Sequence, residues 1–508
     1  MNFKKVFCLF LSVMMIITAF SASAVSAGAE TSMPGTAFGG SQPPEKPDGE
    51  APGAPQEGLG GPGGGMGTPP DGVPGGEMGT PPDGIPGGKG GPGGGMPGGG
   101  PGSSSADIDY SGAVEIASAD TQENQTYETS AEDQSALLIS TAEDVSISNP
   151  TVRKSGSSDG GDSCNFYGLN AAVLVKDGSA TTITGGTITS DADGANGVFS
   201  YGGNGGRNGA EGDGTTVIIR DTVITTSGNG SGGIMTTGGG MTYAYDLTVT
   251  TSGRSSAPIR TDRGGGTVYV DGGSYTSNGL GSPAIYSTAD ITVENAVLTS
   301  NLSEGVCIEG KNSITLLNCD LTASNTKCNG NATFLDSIMI YQSMSGDADS
   351  GTSSFTMTGG SLTSRNGHVF HVTNTNAVIN LSDVEICNED ASGVLLSVCD
   401  DGWSGAGNIA TLNADGQELS GTILVGNNSV LTLNLTDGSS LTGSVSGEIV
   451  NARDDTVSTE VGTVNVSLDS TSTWSLTGDT FISSFSGDTA SISFNGYTLY
   501  VNGTAVNP

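Results

Sequence analysis

Charge is scarce in this sequence, and positive charge is scarcest. Only 14% of residues are charged, and 16 Lys and Arg face 53 Asp and Glu, for a formal net charge of −37. Such a field repels nucleic acid and anionic membrane surfaces, so neither is an expected partner. It suits solubility outside a cell and leaves neutral glycans, cationic partners and calcium open. Aromatic residues make up 5%, and the only histidines are His368 and His371. Helix-forming composition is lacking too. Gly alone accounts for 84 residues, and Ser, Thr, Asn and Asp fill much of the rest. Those are residues of turns and short strands. No CxxC pair occurs and no histidine lies beside a cysteine, which argues against zinc.

Long hydrophobic runs are absent beyond the N-terminus. There, a basic start (Asn2-Phe3-Lys4-Lys5), an apolar run (Val6 to Phe20) and a small-residue site (Val25-Ser26-Ala27) read as a secretory signal over residues 1–27. The run is too short for a good membrane span, and membrane insertion is not expected. Export permits disulfides. The remaining cysteines are Cys164, Cys307, Cys319, Cys328, Cys387 and Cys399. Most read as small buried core residues, with a Cys319–Cys328 bridge left open.

Residues 28–105 have no hydrophobic periodicity. They carry two twelve-residue units, Gly65–Gly76 and Glu77–Gly88, and two copies of GGPGGGM. Gly does not occupy every third position, which excludes collagen. Too little apolar surface is present to order such a segment. It reads as a disordered stalk, part flexible and part polyproline, that acts as a spacer. Copper at Met66, Met78 and Met96 is not supported, because their spacing is simply that of the repeat.

The rest of the chain is dominated by a period. Apolar-rich segments ending in Thr-Ser or a close variant stop at Ser190, Ser227, Ser252, Ser277, Ser300, Ser324, Ser364 and Asn388. Five of the seven intervals between them are 23–25 residues, and the two longer ones contain polar insertions at 201–213 and 325–354. A fixed period of this size means stacked units. Thr/Val/Ile/Gly content excludes helical repeats, and the Leu/Asn spacing of leucine-rich repeats is missing. What remains is a coil of three strands per turn. Strand one alternates, as in Val268-Tyr269-Val270. Strand two runs through the Thr-Ser. Strand three begins at Val198, Ile234, Ile259, Ile285, Val306, Ile338, Val369 and Val394. Each of these is expected to lie over the last at about 4.8 Å, the strand spacing.

The expected fold is therefore all-β, a right-handed single-stranded parallel β-helix over residues 106–508 behind the stalk. Residues 106–150 are expected to cap one end and 410–508 to form the closing rungs. Trp474, Phe481, Phe485 and Phe494 would fill the last turns. On this period and ladder chemistry the chain resembles the pectate-lyase-like right-handed β-helix superfamily, and the β-helices of bacterial surface adhesins. The resemblance covers roughly Asp107 to the end. It implies a fold, and either polysaccharide cleavage or surface binding.

On strand three the outward neighbours would be Met235, Arg260, Tyr286, Cys307, Met339, Phe370 and Leu395. Asp262, Glu309 and Tyr341 follow two residues further on, and His368 shares the face, whereas His371 is expected to point inward. The other faces read mainly as Thr and Ser. A mixed aromatic and charged stripe binds something or lies beneath a loop. Candidate ligand contacts are Arg260, Asp262, Tyr286, Glu309, Tyr341, His368, Phe370 and Trp403. Arg260, Asp262, Arg263 and Glu309 are the residues with catalytic chemistry, since glycosidases need paired carboxylates and uronate lyases need acids and a cationic base. Yet Arg254–Arg260 lacks the pectate lyase Arg/Pro spacing, and Asp400-Asp401 lacks the polygalacturonase neighbours.

No cofactor is expected. The loop Gly202–Gly214 is faintly like a calcium nonapeptide repeat but occurs once, and the acids at Asp347/Asp349 and Asp400/Asp401 suit turns as well as calcium. The leading expectation is a secreted or wall-associated, monomeric, adhesin-like β-helix. Its partner would be an extracellular glycan or a host or matrix surface. Polysaccharide cleavage and a purely structural spacer are the alternatives.

Overall fold

The computed structural model describes residues 108–205 and 211–506. They belong to one compact unit. The expected signal peptide, the Gly/Pro-rich segment and the middle of the Gly202–Gly214 loop lie outside the described residues.

One turn shows how the coil is built. Gly266–Asp271 forms strand one, Ser274–Ser277 strand two and Ile285–Ser287 strand three. The chain then returns as Asp290–Glu294, parallel to and in register with Gly266–Asp271. Repetition gives three parallel sheets of 14, 10 and 13 strands, and a four-stranded sheet takes up the strand-two side near the C-terminus. The fold is the parallel β-helix that the period indicates.

Alternation drives the stacking. On strand one every second side chain enters the coil, and the column Ile219–Ala244–Val270–Val293–Leu316–Met357 is solvent-free throughout. Strand two supplies Ile188–Ile224–Val249–Tyr275–Leu298–Leu321–Leu362. No single turn buries such residues on both sides, so each turn depends on its neighbours.

The corners explain the recurring polar residues. Between strands one and two the chain turns through a left-handed residue, Asp221, Asp246, Asn295 or Asn318 at φ of 50–53°, or Gly272 at 74°. Asn, Asp and Gly adopt this conformation at least cost. The Thr-Ser ending has a different task. Its last hydroxyl points inward and closes the next corner on a carbonyl: Thr226 to Ser231 O, Ser277 to Ser282 O (both 2.5 Å), Ser300 to Ser303 O (3.0 Å). Ser231, Ser256 and Ser282 then hook successive turns together: the Ser256 hydroxyl accepts the Ser231 N–H, and the Ser282 hydroxyl accepts the Ser256 N–H.

The strand-three column runs Val198–Ile234–Ile259–Ile285–Val306–Ile338, as expected. It then departs from the sequence reading. Ile338 is followed by Phe370 and Leu396, with Val369 and Leu395 also buried in the core. Phe370 is thus an interior residue, packed on Phe355 at 5.9 Å, and not an outward contact. Leu395 is interior as well, in a bulge between Val394 and Leu396. His371 takes the outward register position, in line with Met339. Adjacent apolar residues at 369–370 and 394–396 offer two phases of alternation, and the core takes the larger side chains.

Three smaller expectations also change. The region expected to cap the N-terminal end already supplies the first strands of all three sheets, from Ser111–Ile116 onward. Among the closing residues Trp474 is fully buried, its indole N–H donating to Gly443 O, and Phe485 and Phe494 pack against the core. Phe481 instead lies outside, stacked on Tyr500 at 4.8 Å. Among the described residues no disulfide forms, so Cys319 and Cys328 are not bridged.

Candidate functional site

The outward face of strand three gathers most of the residues that the sequence singles out. Arg260 Nη2 lies 2.8 Å from Asp262 Oδ2. Glu309 Oε2 accepts hydrogen bonds from Tyr286 at 2.5 Å and Tyr341 at 3.1 Å. Tyr341 packs against Trp403 with ring centroids 4.9 Å apart. Arg263 Nη2 meets Asp347 Oδ1 at 2.5 Å.

This face is covered. The short helix Asp162–Tyr167 sits over one end, where Arg260 also reaches Asn165 Oδ1 at 3.3 Å and Thr237 donates to Phe166 O. Phe166 and Tyr167 close a satellite apolar cluster with Leu174, Phe199, Tyr201 and Met235. The Arg263 guanidinium lies over the Phe166 ring. The segment 343–347 covers the middle, Ser343 and Ser345 both donating to Glu309 Oε1. Arg260, Asp262 and Glu309 are consequently 8%, 5% and 2% exposed. Burial pushes the Asp262 carboxyl up to about 6 despite Arg260, with Asp347 and Glu309 adding to the rise. Burial, then Glu309, holds both tyrosines well above the usual phenol range, so they remain donors. With its carboxylate oxygens engaged by hydroxyls, Glu309 acts as a clasp for the covering loop.

His368 belongs to a second cluster. Ser397 Oγ is 2.7 Å from His368 Nδ1 and 2.8 Å from His371 Nδ1, and His371 Nε2 is 3.3 Å from Asp401 Oδ2. Neither His371, Asp401 nor Ser397 is accessible: the first two side chains are solvent-free, and Phe334 stacks on the His371 ring at 4.7 Å. Residue types suited to nucleophilic chemistry thus meet here, out of reach of a polymer. Burial, then His371, lowers the His368 pKa to about 3.

The acids considered for calcium are already engaged. Asp347 pairs with Arg263, Asp349 with Lys311 at 3.0 Å, Asp400 with Asn408, and Asp401 with Thr333. Among the described residues no three or more His, Cys, Asp or Glu side chains converge as a metal site.

A further surface escapes the sequence reading. On strand one, Tyr243 and Tyr269 occupy the same register position on adjacent strands, ring centroids 6.4 Å apart. Tyr245 lies 6.2 Å from Tyr269, and the Arg220 guanidinium stacks on Tyr245 at 3.7 Å. All three tyrosines are partly exposed on a flat sheet. The signal was present in Thr242-Tyr-Ala-Tyr245 and Val268-Tyr-Val270, where aromatic residues hold the outward places of an alternating strand. Further along the same sheet Asn380, Asn413 and Asn434 form a ladder of amide hydrogen bonds at 2.9 Å. An open groove of about 580 Å³ lies elsewhere, over the first strand-two rungs, lined by Glu128, Arg153, Thr189, Asp191 and Thr225 among others.

No helix among the described residues is long and apolar enough to cross a membrane. The chain matches no family model, no curated protein and no solved structure.

Proposed function

We propose that this is an exported, adhesin-like solenoid that binds a neutral extracellular glycan on its strand-one sheet. The observation that carries this reading is the uncovered tyrosine patch of Tyr243, Tyr245 and Tyr269. Aromatic faces stack on the C–H faces of sugar rings, and a flat sheet presents them side by side at the strand spacing. Polar groups flank the patch: Asp271, Glu294 and Thr292 occupy the neighbouring register places and suit sugar hydroxyls. The acidic chain favours a neutral polymer over an anionic one. The signal peptide and stalk expected from the sequence fit presentation outside a cell.

The test is a glycan array with the full mature chain, followed by affinity electrophoresis on the hits. Binding that falls in Tyr269→Ala and Tyr243→Ala supports the reading. Binding unchanged in both, or no binding to any glycan, defeats it.

Cleavage of an extracellular polysaccharide is the second reading, favoured by the raised Asp262 carboxyl beside Arg260 and Glu309. It requires the covering segments to lift, because a general acid must reach the glycosidic oxygen. Incubation with pectin and alginate tests it. Released sugar ends that vanish in Asp262→Asn and Glu309→Gln would carry this reading instead.

A further inference from the structure

Two carboxylates are buried on successive turns with no cation beside them. Glu304 stands two residues before Val306, just ahead of the strand Val306–Glu309, and Asp336 two before Ile338, which pairs with Val306. The Gly305 N–H donates to Ser337 O between them, which fixes their alignment. Equivalent places on adjacent turns are about 4.8 Å apart. Glu304 is 5% and Asp336 1% exposed. Neither forms an ion pair with any described residue. Two like charges this close in a dry site are costly unless a proton or a cation lies between them.

A second observation is independent of the acids. Asn325, also buried, has a side-chain carbonyl oxygen with no hydrogen-bond partner, and Asp336 Oδ1 likewise has none. The Asn325 amide lies against Glu304, its Nδ2 a long 3.3 Å from Oε1. A half-turn of that amide would turn its oxygen toward Glu304. Buried acceptors left empty in this way call for a donor, a water or a metal ion. The remaining neighbours do not provide one. Ser303 Oγ donates to Glu304 Oε2, and the Cys307 thiol is buried alongside.

We propose that Glu304, Asn325 and Asp336 form a site for a hard divalent cation, calcium, that ties both ends of the 325–335 loop, the first part of the 325–354 insertion, to the coil. Asn325 opens that loop and Asp336 follows its last residue, so one ion spans its neck. Two carboxylates and an amide oxygen are calcium chemistry, with waters completing the shell. Among the described residues no three His, Cys, Asp or Glu side chains converge to hold an ion, so the set does not suit zinc. Burial raises both carboxyls, and for Asp336 the neighbouring Glu304 is the next cause, as two acids lacking their counter-ion should behave. The tied segment matters because Phe334 and Thr333, which cover His371 and Asp401, belong to it.

The test uses the mature chain stripped with a chelator and titrated with calcium chloride. Calorimetry should find one bound ion per chain. Hydrogen exchange at 325–335 should slow about tenfold at calcium ten times above its Kd. Both effects should disappear in Asp336→Asn and in Glu304→Gln, and persist in Asp347→Asn, whose carboxylate serves Arg263. If either carboxamide variant does not fold, terbium luminescence on the wild type, displaced by calcium, decides in its place. Absence of ion binding by the wild type overturns the site, and so does a folded Asp336→Asn that binds calcium as before. A wild type that ignores calcium while Asp336→Asn gains stability shows two acids sharing a proton.

Discussion

Tyr286 and Glu309, on neighbouring turns of the coil, are joined by a 2.5 Å hydrogen bond. Tyr341, Ser343 and Ser345 converge on the same carboxylate, so one buried side chain holds two turns and a covering segment. Glu309→Ala strands these hydroxyls. It is expected to cost about 1–3 kcal/mol in urea unfolding, the usual penalty for buried donors without partners. The segment around 343–347 should become the first site of limited proteolysis. Wild-type stability and cleavage pattern in this variant would refute the clasp.

Tyr269→Ala and Tyr243→Ala are expected to weaken glycan binding about tenfold each, equivalent to about 1.4 kcal/mol. Both residues are partly exposed and lie outside the core, so the melting temperature should barely move. Arg260→Ala should behave in the opposite way, lowering stability through the unpaired Asp262 without a direct effect on the tyrosine surface.

Phe370→Ala opens a hole beside Phe355 in the middle of the coil. A loss of about 3–5 kcal/mol is expected. An outward contact residue would give a change within about 0.5 kcal/mol, so chemical denaturation separates the two placements cleanly.

His368 makes the protein acid-sensitive. Its folded pKa of about 3 lies below the ordinary 6.5, through burial and the neighbouring His371, with Asp390 opposing. The unfolded chain therefore binds the extra proton first, and stability falls as pH drops from about 6.5 toward 3, by at most about 1.4 kcal/mol per unit. Asp262 contributes the opposite slope between its ordinary 3.8 and about 6, where the folded state keeps the proton longer and stability falls as pH rises. Melting curves from pH 7 to 4 should show His368→Gln losing less stability on acidification than the wild type. Parallel curves would remove His368 as the cause.

The sequence carried the architecture because the period, the corner residues and the inward columns all repeat. It carried the neighbourhood of Arg260, Asp262, Tyr286, Glu309, Tyr341 and Trp403 for the same reason. It lost the phase at Phe370 and Leu395, where consecutive apolar residues fit either face. It left open that the strand-three stripe lies beneath a loop, but could not name Phe166, Ser343 and Phe334 as the residues that cover it. Those segments lie off the repeat, and their paths depend on single contacts such as Thr237 with Phe166 O. The tyrosine patch was legible in principle, since Tyr243 and Tyr269 hold outward places, but an alternating strand also reads as ordinary ladder chemistry.

Because each strand pairs only with the equivalent strands of the turns above and below it, the coil behaves like a stack of coins. Removing Ser252–Ser277 would bring Thr251 next to Asn278, at matching points of the circuit, and set Thr248–Thr251 against Val297–Ser300. The shortened protein keeps a continuous interior, yet Tyr243 then lies beside Thr292 in place of Tyr269. Length and surface pattern are thus separable: the number of coins sets how far the coil extends, and the order of two of them sets whether the tyrosines lie side by side.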